Sequence, residues 1–172
     1  MGSCLSNELL NSTNDTPEYS YEDTWFIGKC VRVYDGDTIF LSIFLADKGK
    51  DKLEPRKIRV RCYGYDSPEM KPLLNIPNRV QIIQDAIKAK EYVERRILNK
   101  LVVFHCKGFD KYGRFLGDIY YSEHPTLDVS CVGCLPKVVD KNWAKDNELF
   151  YLNKEMIDGG MGKEYFGGTK ET

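Results

Sequence analysis

The stretch from Arg61 to Lys71, RCYGYDSPEMK, holds a concentrated set of chemically useful side chains. It supplies a guanidinium group at Arg61 and carboxylates at Asp66 and Glu69. Such groups can bind a phosphate, hold a hard cation and activate a water molecule. Aspartate, serine and proline are also ordinary turn residues, so the stretch taken alone fits a charged surface loop equally well.

The residues before this stretch must position it. Residues 57–63 alternate between apolar and basic or aromatic side chains, which is the pattern of a strand with two different faces. The strand should end at Gly64, and Pro68 should prevent a helix from starting directly after it. The two carboxylates are therefore predicted to lie in a turn at the end of a rigid strand.

Length and charge narrow the class of protein. The chain has 172 residues, enough for one domain with a substantial core and tails. Its 25 basic and 26 acidic residues nearly cancel, so the basic excess of a passive nucleic-acid binder is absent. An enzyme that neutralises one phosphate does not need that excess. The sequence contains no apolar run of about 18 residues, and its N-terminus lacks the apolar core of a secretory signal.

Three of the six cysteines, Cys30, Cys62 and Cys106, lie in strand-like runs. Because the chain carries no recognisable export signal, we expect these thiols to be reduced and to pack as small apolar side chains.

Cys131 and Cys134 form a C-x₂-C pair, which is standard spacing for zinc ligands. A zinc site would also need His124 and a cysteine of the folded domain, because no second C-x₂-C pair follows. The alternative is a simple loop with reduced thiols.

The first six residues, MGSCLS, fit the myristoylation pattern, with Gly2 exposed after removal of the first methionine and Ser6 in place. Cys4 would accept a palmitoyl group, and two acyl chains make membrane anchoring stable. The alternative is an ordinary methionine-glycine start. We expect residues 1–23, which are mostly polar, to form a flexible tether. An acylated chain would be cytoplasmic and peripheral on the cytoplasmic face of a membrane.

The rest of the chain predicts five strands and two helices of an α+β fold. The strands are predicted at residues 25–34, 38–46, 57–63, 101–106 and 115–121, with a charged loop at 47–56. A period of three to four residues predicts an amphipathic helix at 78–98, and a short C-terminal helix is expected at 153–158. Five strands with a helix between the third and fourth are the outline of an OB-fold β-barrel. This domain is expected to cover residues 24–168, with an insertion at about 122–149 and a tail at 169–172.

Three short segments stand at informative points of this outline. They are DGDT at 35–38, Arg61 followed by DSPE at 66–69, and DKYGR at 110–114. Each segment alone is weak evidence for a function, because any of them would also be suitable for a simple turn. In this order on a five-stranded barrel they resemble the staphylococcal (micrococcal) nuclease family over about residues 26–168.

The resemblance implies a calcium site. Asp37 and Asp66 would be its carboxylate ligands, and the backbone carbonyl of Ser67 would be a third ligand. The family usually has threonine at this last position, and a carbonyl ligand tolerates the change. So few protein ligands imply weak calcium binding with water in the remaining positions. Asp35 would either support these ligands or only shape the turn.

The resemblance also implies the catalytic set. Arg61 and Arg114 would bind the scissile phosphate, and Glu69 would be the general base for the attacking water. Lys111 and Tyr112 would contact a neighbouring phosphate. Two guanidinium groups and a hard cation suit the negative charge that develops during phosphodiester hydrolysis. Taken one at a time, these residues are also explained by hairpin geometry or by surface ion pairs.

These roles imply a calcium-dependent nuclease that hydrolyses phosphodiester bonds of DNA and RNA and leaves 3′-phosphates. The sequence shows no device for reading bases, so we expect low sequence specificity. The alternative is a non-catalytic OB-barrel that binds nucleic acid or protein and is tethered to a membrane. No obligate protein partner is evident from the sequence.

Overall fold

A computed structural model of the protein describes residues 7–46, 53–123 and 149–166. These residues contain eight strands and three helices. The strands are β1 (Trp25–Val33), β2 (Thr38–Ala46), β3 (Leu53–Cys62), β4 (Tyr65–Asp66), β5 (Leu101–Phe109), β6 (Phe115–Tyr121), β7 (Phe150–Tyr151) and β8 (Lys163–Glu164). The helices are α1 (Asn7–Leu10), α2 (Arg79–Ile97) and α3 (Leu152–Asp158).

Five of the strands form a closed barrel of the OB type. The order is β3-β2-β1-β5-β6, and a parallel pairing of β3 with β6 closes it. The other neighbours in the barrel are antiparallel, and β7 extends the sheet beyond β6. Helix α2 lies between the third and fourth barrel strands in sequence. The predicted α+β barrel with its amphipathic helix and its short C-terminal helix is therefore confirmed.

The barrel is filled by the residues whose period-two pattern predicted the strands. Ile39, Leu41 and Ile43 of β2 are almost completely buried, because alternate side chains of a strand point to the same face. Helix α2 buries one stripe, consisting of Ala86, Ala89, Val93 and Ile97. The hydrophobic face of the helix therefore covers the barrel, as its period of three to four residues predicted.

Three strand boundaries differ from the sequence prediction. Strand β3 begins at Leu53, inside the expected charged loop, because its first residues pair with the end of β2. Strand β5 continues past residue 106 to Phe109, with an irregular pairing opposite β6. Asp66 lies in β4, which pairs with β8, so it does not lie in a free turn. The positive φ of Gly64 turns the chain out of the barrel between β3 and β4.

Contacts with the barrel also begin before the expected start at residue 24. The Tyr21 ring packs against the core, with its centre 6.0 Å from that of Phe26. The backbone N–H of Asp23 donates to the carbonyl of Cys106 at 2.8 Å, and its carboxylate lies 2.7 Å from Nε2 of His105. The segment just before β1 is thus attached to β5 and to the core.

Cys30, Cys62 and Cys106 are buried free thiols, as predicted. Burial raises the pKa of Cys30 and of Cys62 to about 12 and also raises the pKa of Cys106, so these thiols stay protonated near neutral pH.

Several sequence predictions fall outside the described residues, namely those for Gly2, Cys4, His124, Cys131 and Cys134. Among the helices that the structure does describe, none combines the length and apolar character needed to span a membrane.

Candidate active site

The turn between β1 and β2 is built by the carboxylate of Asp35. Its Oδ1 accepts the backbone N–H groups of Asp37 at 3.2 Å and of Thr38 at 2.7 Å. The backbone N–H of Tyr34 donates to the carbonyl of Thr38 at 2.9 Å, which closes the hairpin. The turn therefore fixes the backbone from which Asp37 projects, and Asp35 acts on its geometry.

Gly36, in the middle of this turn, permits a very close approach to two other elements. A Cβ atom at Gly36 would lie 2.7 Å from Cβ of Ser67 and 2.9 Å from Cβ of Ala89 in α2. The hydroxyl of the fully buried Tyr65 donates to the Gly36 carbonyl at 2.7 Å. These contacts hold the β1–β2 turn against the segment that carries the second carboxylate.

The carboxylate of Asp37 is the centre of the site. Its Oδ2 accepts the backbone N–H and the hydroxyl of Ser67, each at 2.9 Å. Its Oδ1 accepts the hydroxyl of Thr38 at 2.9 Å and lies 3.5 Å from Nε of Arg61. Only 7 % of Asp37 is exposed, so these partners compensate for the burial of its charge.

Arg61 connects the two carboxylates. Its Nη2 donates to Oδ1 of Asp66 at 2.8 Å while its Nε faces Asp37. Its Nη1 donates to the carbonyl of Cys62 at 2.7 Å, which fixes the plane of the guanidinium group. Both aspartates are consequently held within the width of one guanidinium group.

The second arginine is positioned by the turn between β5 and β6. Oδ1 of Asp110 accepts the backbone N–H groups of Tyr112 at 2.8 Å and of Arg114 at 2.9 Å, and its Oδ2 accepts Nε of Arg114. Burial opposes ionisation of Asp110, but these hydrogen bonds outweigh it and lower its pKa. The Arg114 guanidinium also lies 3.5 Å from the Thr38 hydroxyl, which joins this turn to the Asp37 cluster.

These elements surround one polar cleft of about 620 Å³. All eight residues to which the sequence assigned catalytic, metal-binding or substrate-binding roles line it, namely Asp37, Arg61, Asp66, Ser67, Glu69, Lys111, Tyr112 and Arg114. Glu69 is exposed, and its side chain makes no hydrogen bond or ion pair with any residue that the structure describes. The fold thus brings three segments that are far apart in sequence to one place.

The acidic side of the cleft favours a cation. Burial, and then repulsion from Asp37, raise the pKa of Asp35 to about 6. Asp37 has about four acceptor positions, of which three carry hydrogen bonds at 2.9 Å and the last has only the 3.5 Å contact with Arg61. One direction of this carboxylate is therefore weakly used, and the same guanidinium group of Arg61 that faces it also contacts Asp66.

A site with few protein ligands fits this arrangement. Within the described ranges, no three His, Cys, Asp or Glu side chains form a metal-binding group. Two carboxylates remain as donors, and oxygen is the donor that hard cations such as calcium prefer. Ser67 contacts Asp37 through its N–H and hydroxyl groups, and the predicted ligand role of its carbonyl stays a prediction. The residues present fit a calcium ion that keeps several waters.

A smaller pocket of about 290 Å³ adjoins the cleft and shares both arginines with it. Its aromatic lining includes Tyr63, Tyr112, Tyr165 and Phe166. The sequence interpretation did not assign Tyr165 or Phe166 to the site. Their aromatic character near the end of the folded part was the only available signal, because the pairing of β4 with β8 that brings them here joins distant residues.

Comparison with known proteins agrees with this arrangement. The family model for staphylococcal nuclease homologues matches residues 59–171, which is most of the chain. An uncharacterized protein of Methanocaldococcus jannaschii is 28 % identical over 128 residues, covering 66 % of this chain and 54 % of that protein. The chain thus spans about half the length of this relative. The β1–β2 turn lies before the family match, and the barrel places it at the same cleft. This chain belongs to the staphylococcal nuclease homologue family.

Proposed function

We propose that this protein is a calcium-dependent nuclease that hydrolyses phosphodiester bonds of DNA and RNA with low sequence specificity and leaves 3′-phosphates. The observation that carries the proposal is the convergence of two guanidinium groups and two carboxylates on one polar cleft. Family membership supports phosphodiester chemistry at this position.

The unused donors of the two arginines support phosphate binding. A guanidinium group has five N–H donors. Arg61 uses three of them, toward Cys62, Asp66 and Asp37. Arg114 uses two, toward Asp110 and Thr38. About five N–H groups therefore remain for a phosphate, and charge-assisted hydrogen bonds of this kind are strong. Their value is greatest for the extra negative charge of the transition state.

We assign the role of general base to Glu69. It lines the same cleft as both arginines, and its carboxylate is not committed to another described residue. It can therefore accept a proton from a water that attacks a phosphate held by Arg61 and Arg114. A calcium ion held by Asp37 and Asp66 would supply positive charge to the phosphate and to the attacking water.

The aromatic pocket supports a nucleotide substrate without base selectivity. Tyr112 is 72 % exposed and lies below the cations of Lys111 and Arg114, at 5.2 and 5.6 Å from its ring centre. Stacking on rings such as Tyr63 and Phe166 is available to every base, because every base has a π-face. This arrangement favours a nucleotide beside the scissile phosphate and no particular base.

Digestion of plasmid DNA and single-stranded RNA by the purified chain tests the proposal. We expect cleavage with calcium, none with a chelator, and products whose 3′ ends need phosphatase before they can be extended. Arg95→Ala, which removes an exposed arginine from α2, should digest both substrates like the wild type. Cleavage in chelator, or 3′-hydroxyl products, would contradict the calcium-dependent or the 3′-phosphate part of the proposal.

The competing hypothesis is a non-catalytic module that binds nucleic acid. The aromatic pocket would serve such a module equally well, but an exposed Glu69 beside two arginines would have no purpose in it. Wild-type binding of an oligonucleotide with no cleavage in calcium would favour the module.

We also propose that acylation of Gly2 and Cys4 tethers the enzyme to the cytoplasmic face of a membrane. Support comes from the MGSCLS sequence and from the polar residues between it and the barrel. Gly2→Ala should move the protein from the membrane fraction to the soluble fraction of cells. Equal distribution of Gly2→Ala and wild type would contradict the tether and leave the nuclease proposal unaffected.

A further inference from the structure

The outer face of β1, β2 and β3 carries three cations above two aromatic rings. The guanidinium carbon of Arg32 lies 5.8 Å from the ring centre of Tyr34 and 5.4 Å from that of Phe40. Nζ of Lys57 lies 5.8 Å from the Phe40 ring centre. The guanidinium carbon of Arg59 lies 5.3 Å from the Tyr34 ring centre. We call these five residues the cation ladder.

The cation ladder is continuous with the catalytic cleft. In the sheet, Phe40 is paired with Arg32 on one side and with Arg59 on the other. Thr38 and Arg61 form the next row toward the cleft, and Tyr34 and Arg59 themselves line the cleft. Lys57 lies one row further away, four residues from Arg61. At about 3.3 Å per residue the ladder thus extends roughly 13 Å from the catalytic row, long enough for more than one phosphate of a strand.

No acid among the described residues compensates the charge of the ladder. Arg32, Lys57 and Arg59 are exposed, and none of them forms an ion pair with an acid within the part of the chain that the structure describes. Positive charges gathered within a distance of about 10 Å repel one another at ordinary salt concentration. The formal net charge of the chain is −1, so the ladder is a local concentration of positive charge. An anionic ligand would relieve this repulsion.

We propose that the cation ladder binds phosphates of the single-stranded nucleic acid that leaves the catalytic cleft. The inference rests on the proposed nuclease function and adds a track for the substrate outside the site of cleavage. The rings of Tyr34 and Phe40 hold the cations in place, and the cations contact the backbone without reading bases. A membrane surface is less well matched, because a bilayer lying on the ladder would also cover the cleft that Tyr34 and Arg59 line.

The experiment measures binding of fluorescent single strands of about 12 nucleotides, within the range that one OB-fold covers. Binding is measured by anisotropy in chelator, at several salt concentrations, for the wild type and for the double variant Arg32→Gln/Lys57→Gln. These two cations do not line the cleft. We expect the double variant to bind about tenfold more weakly than the wild type. Its slope of log K against log salt should be shallower by about 1.4, since each lost phosphate contact contributes about 0.7 on single strands.

Lys88→Gln/Lys154→Gln is the matched control, because it removes two exposed lysines from helices α2 and α3. It should leave affinity and slope unchanged. The single variant Lys57→Gln should give a change of about 0.7 in the slope, and Phe40→Leu should weaken binding with no change of charge. Circular dichroism verifies the fold of each variant.

Equal affinity and slope for the ladder variant and the wild type would overturn the proposal. Unchanged oligonucleotide binding with weaker partition to vesicles of anionic phospholipid would assign the ladder to a membrane and would overturn it as well. The nuclease proposal is tested separately with a nitrophenyl phosphodiester of a single nucleotide, which is too short to reach Lys57. If the wild type turns over this substrate, and the ladder variant binds single strands as tightly as the wild type does, the track alone is refuted. Absence of both turnover and strand binding would refute both proposals.

Discussion

The polar cleft and the far side of β6 each contain a cluster of buried polar residues. In the cleft, Asp37 and Arg61 are 7 % and 8 % exposed. On the far side, His105 and Asp118 are each 6 % exposed and Asn153 is 1 % exposed. Burial therefore does not distinguish the two clusters. We call the second group, completed by Tyr151, the barrel-closing cluster.

The barrel-closing cluster uses its hydrogen-bonding capacity internally. Asn153 accepts the N–H of Ile119 at 3.0 Å and donates to the carbonyls of Tyr63 at 2.8 Å and Gly117 at 3.3 Å. The hydroxyl of Tyr151 donates to Asp118 at 2.9 Å. This cluster joins α3 and β7 to the barrel and lines neither the polar cleft nor the aromatic pocket.

The cleft differs because it keeps hydrogen-bond donors and acceptors that no described residue uses. Arg61 and Arg114 retain N–H groups, and Glu69 keeps its carboxylate, and all three face the same open volume. The comparison teaches that a functional cluster is marked by unused hydrogen-bonding capacity beside a cavity. A buried charge whose bonds are all satisfied inside the protein has a structural role.

Removing Arg114 should produce the largest effect on activity. Losing a preorganised donor to the transition state costs about 2.7–4 kcal/mol, so Arg114→Ala should lower turnover about 10²–10³-fold. The free energy of unfolding should fall by only about 1–2 kcal/mol, because Asp110, whose side chain is 12 % exposed, keeps the backbone N–H donors of Tyr112 and Arg114. Turnover and urea unfolding are measured on the same preparation. A wild-type rate, or a loss of rate that follows loss of folded protein, would contradict the assignment of the cleft.

Asn153→Ala should have the opposite effect, a loss of stability with little loss of activity. It removes the side-chain partner of the N–H of Ile119 and of the carbonyl of Tyr63, while the carbonyl of Gly117 keeps the N–H of Tyr63, and this should lower the free energy of unfolding by about 2–4 kcal/mol. Turnover per folded molecule should stay near the wild-type value.

Lys154→Ala, at the next position of α3, is the matched control and should change stability by less than about 0.5 kcal/mol. If Asn153→Ala were as stable as this control, or if it lost turnover while folded, the division between the two clusters would fail.

Gly36→Ala should affect both stability and activity, because the new Cβ collides with Ser67 and Ala89. Overpacking of this kind costs about 1–3 kcal/mol, and it should displace the turn that carries Asp37. Gly108→Ala is a useful comparison, because it strains a positive φ but its Cβ meets nothing within 4 Å. It should lose stability and keep turnover. Retention of full turnover by Gly36→Ala would show that the close approach does not position the site.

The elements that depend on neighbouring residues were predictable. The period-two pattern of β2 and the longer period of α2 gave both elements within one residue of their observed limits. The three motif segments were sufficient to predict eight residues that line the cleft, because DGDT and DKYGR connect neighbouring barrel strands and Arg61 and Asp66 flank the bend at Gly64 where β3 ends.

The parts that the sequence did not predict depend on contacts between distant residues. The hydrogen bond from Tyr65 to Gly36 joins residues 29 positions apart, and the contact of Asn153 with Tyr63 joins residues 90 apart. The pairing of β4 with β8 has the same origin. No local pattern reports such contacts, since side-chain type and spacing describe only neighbouring residues.

Parallel calcium titrations of thermal unfolding and of nucleic-acid cleavage test the central claim most directly. A ligand at ten times its dissociation constant stabilises a folded protein by about 1.4 kcal/mol. We predict that calcium raises the unfolding midpoint and turns on cleavage with the same half-saturation, and that magnesium does neither well because its strict octahedral shell suits an open site poorly. Asp66→Asn should lose both responses. Full cleavage in chelator or in magnesium alone, or an unchanged calcium response in Asp66→Asn, would contradict the account.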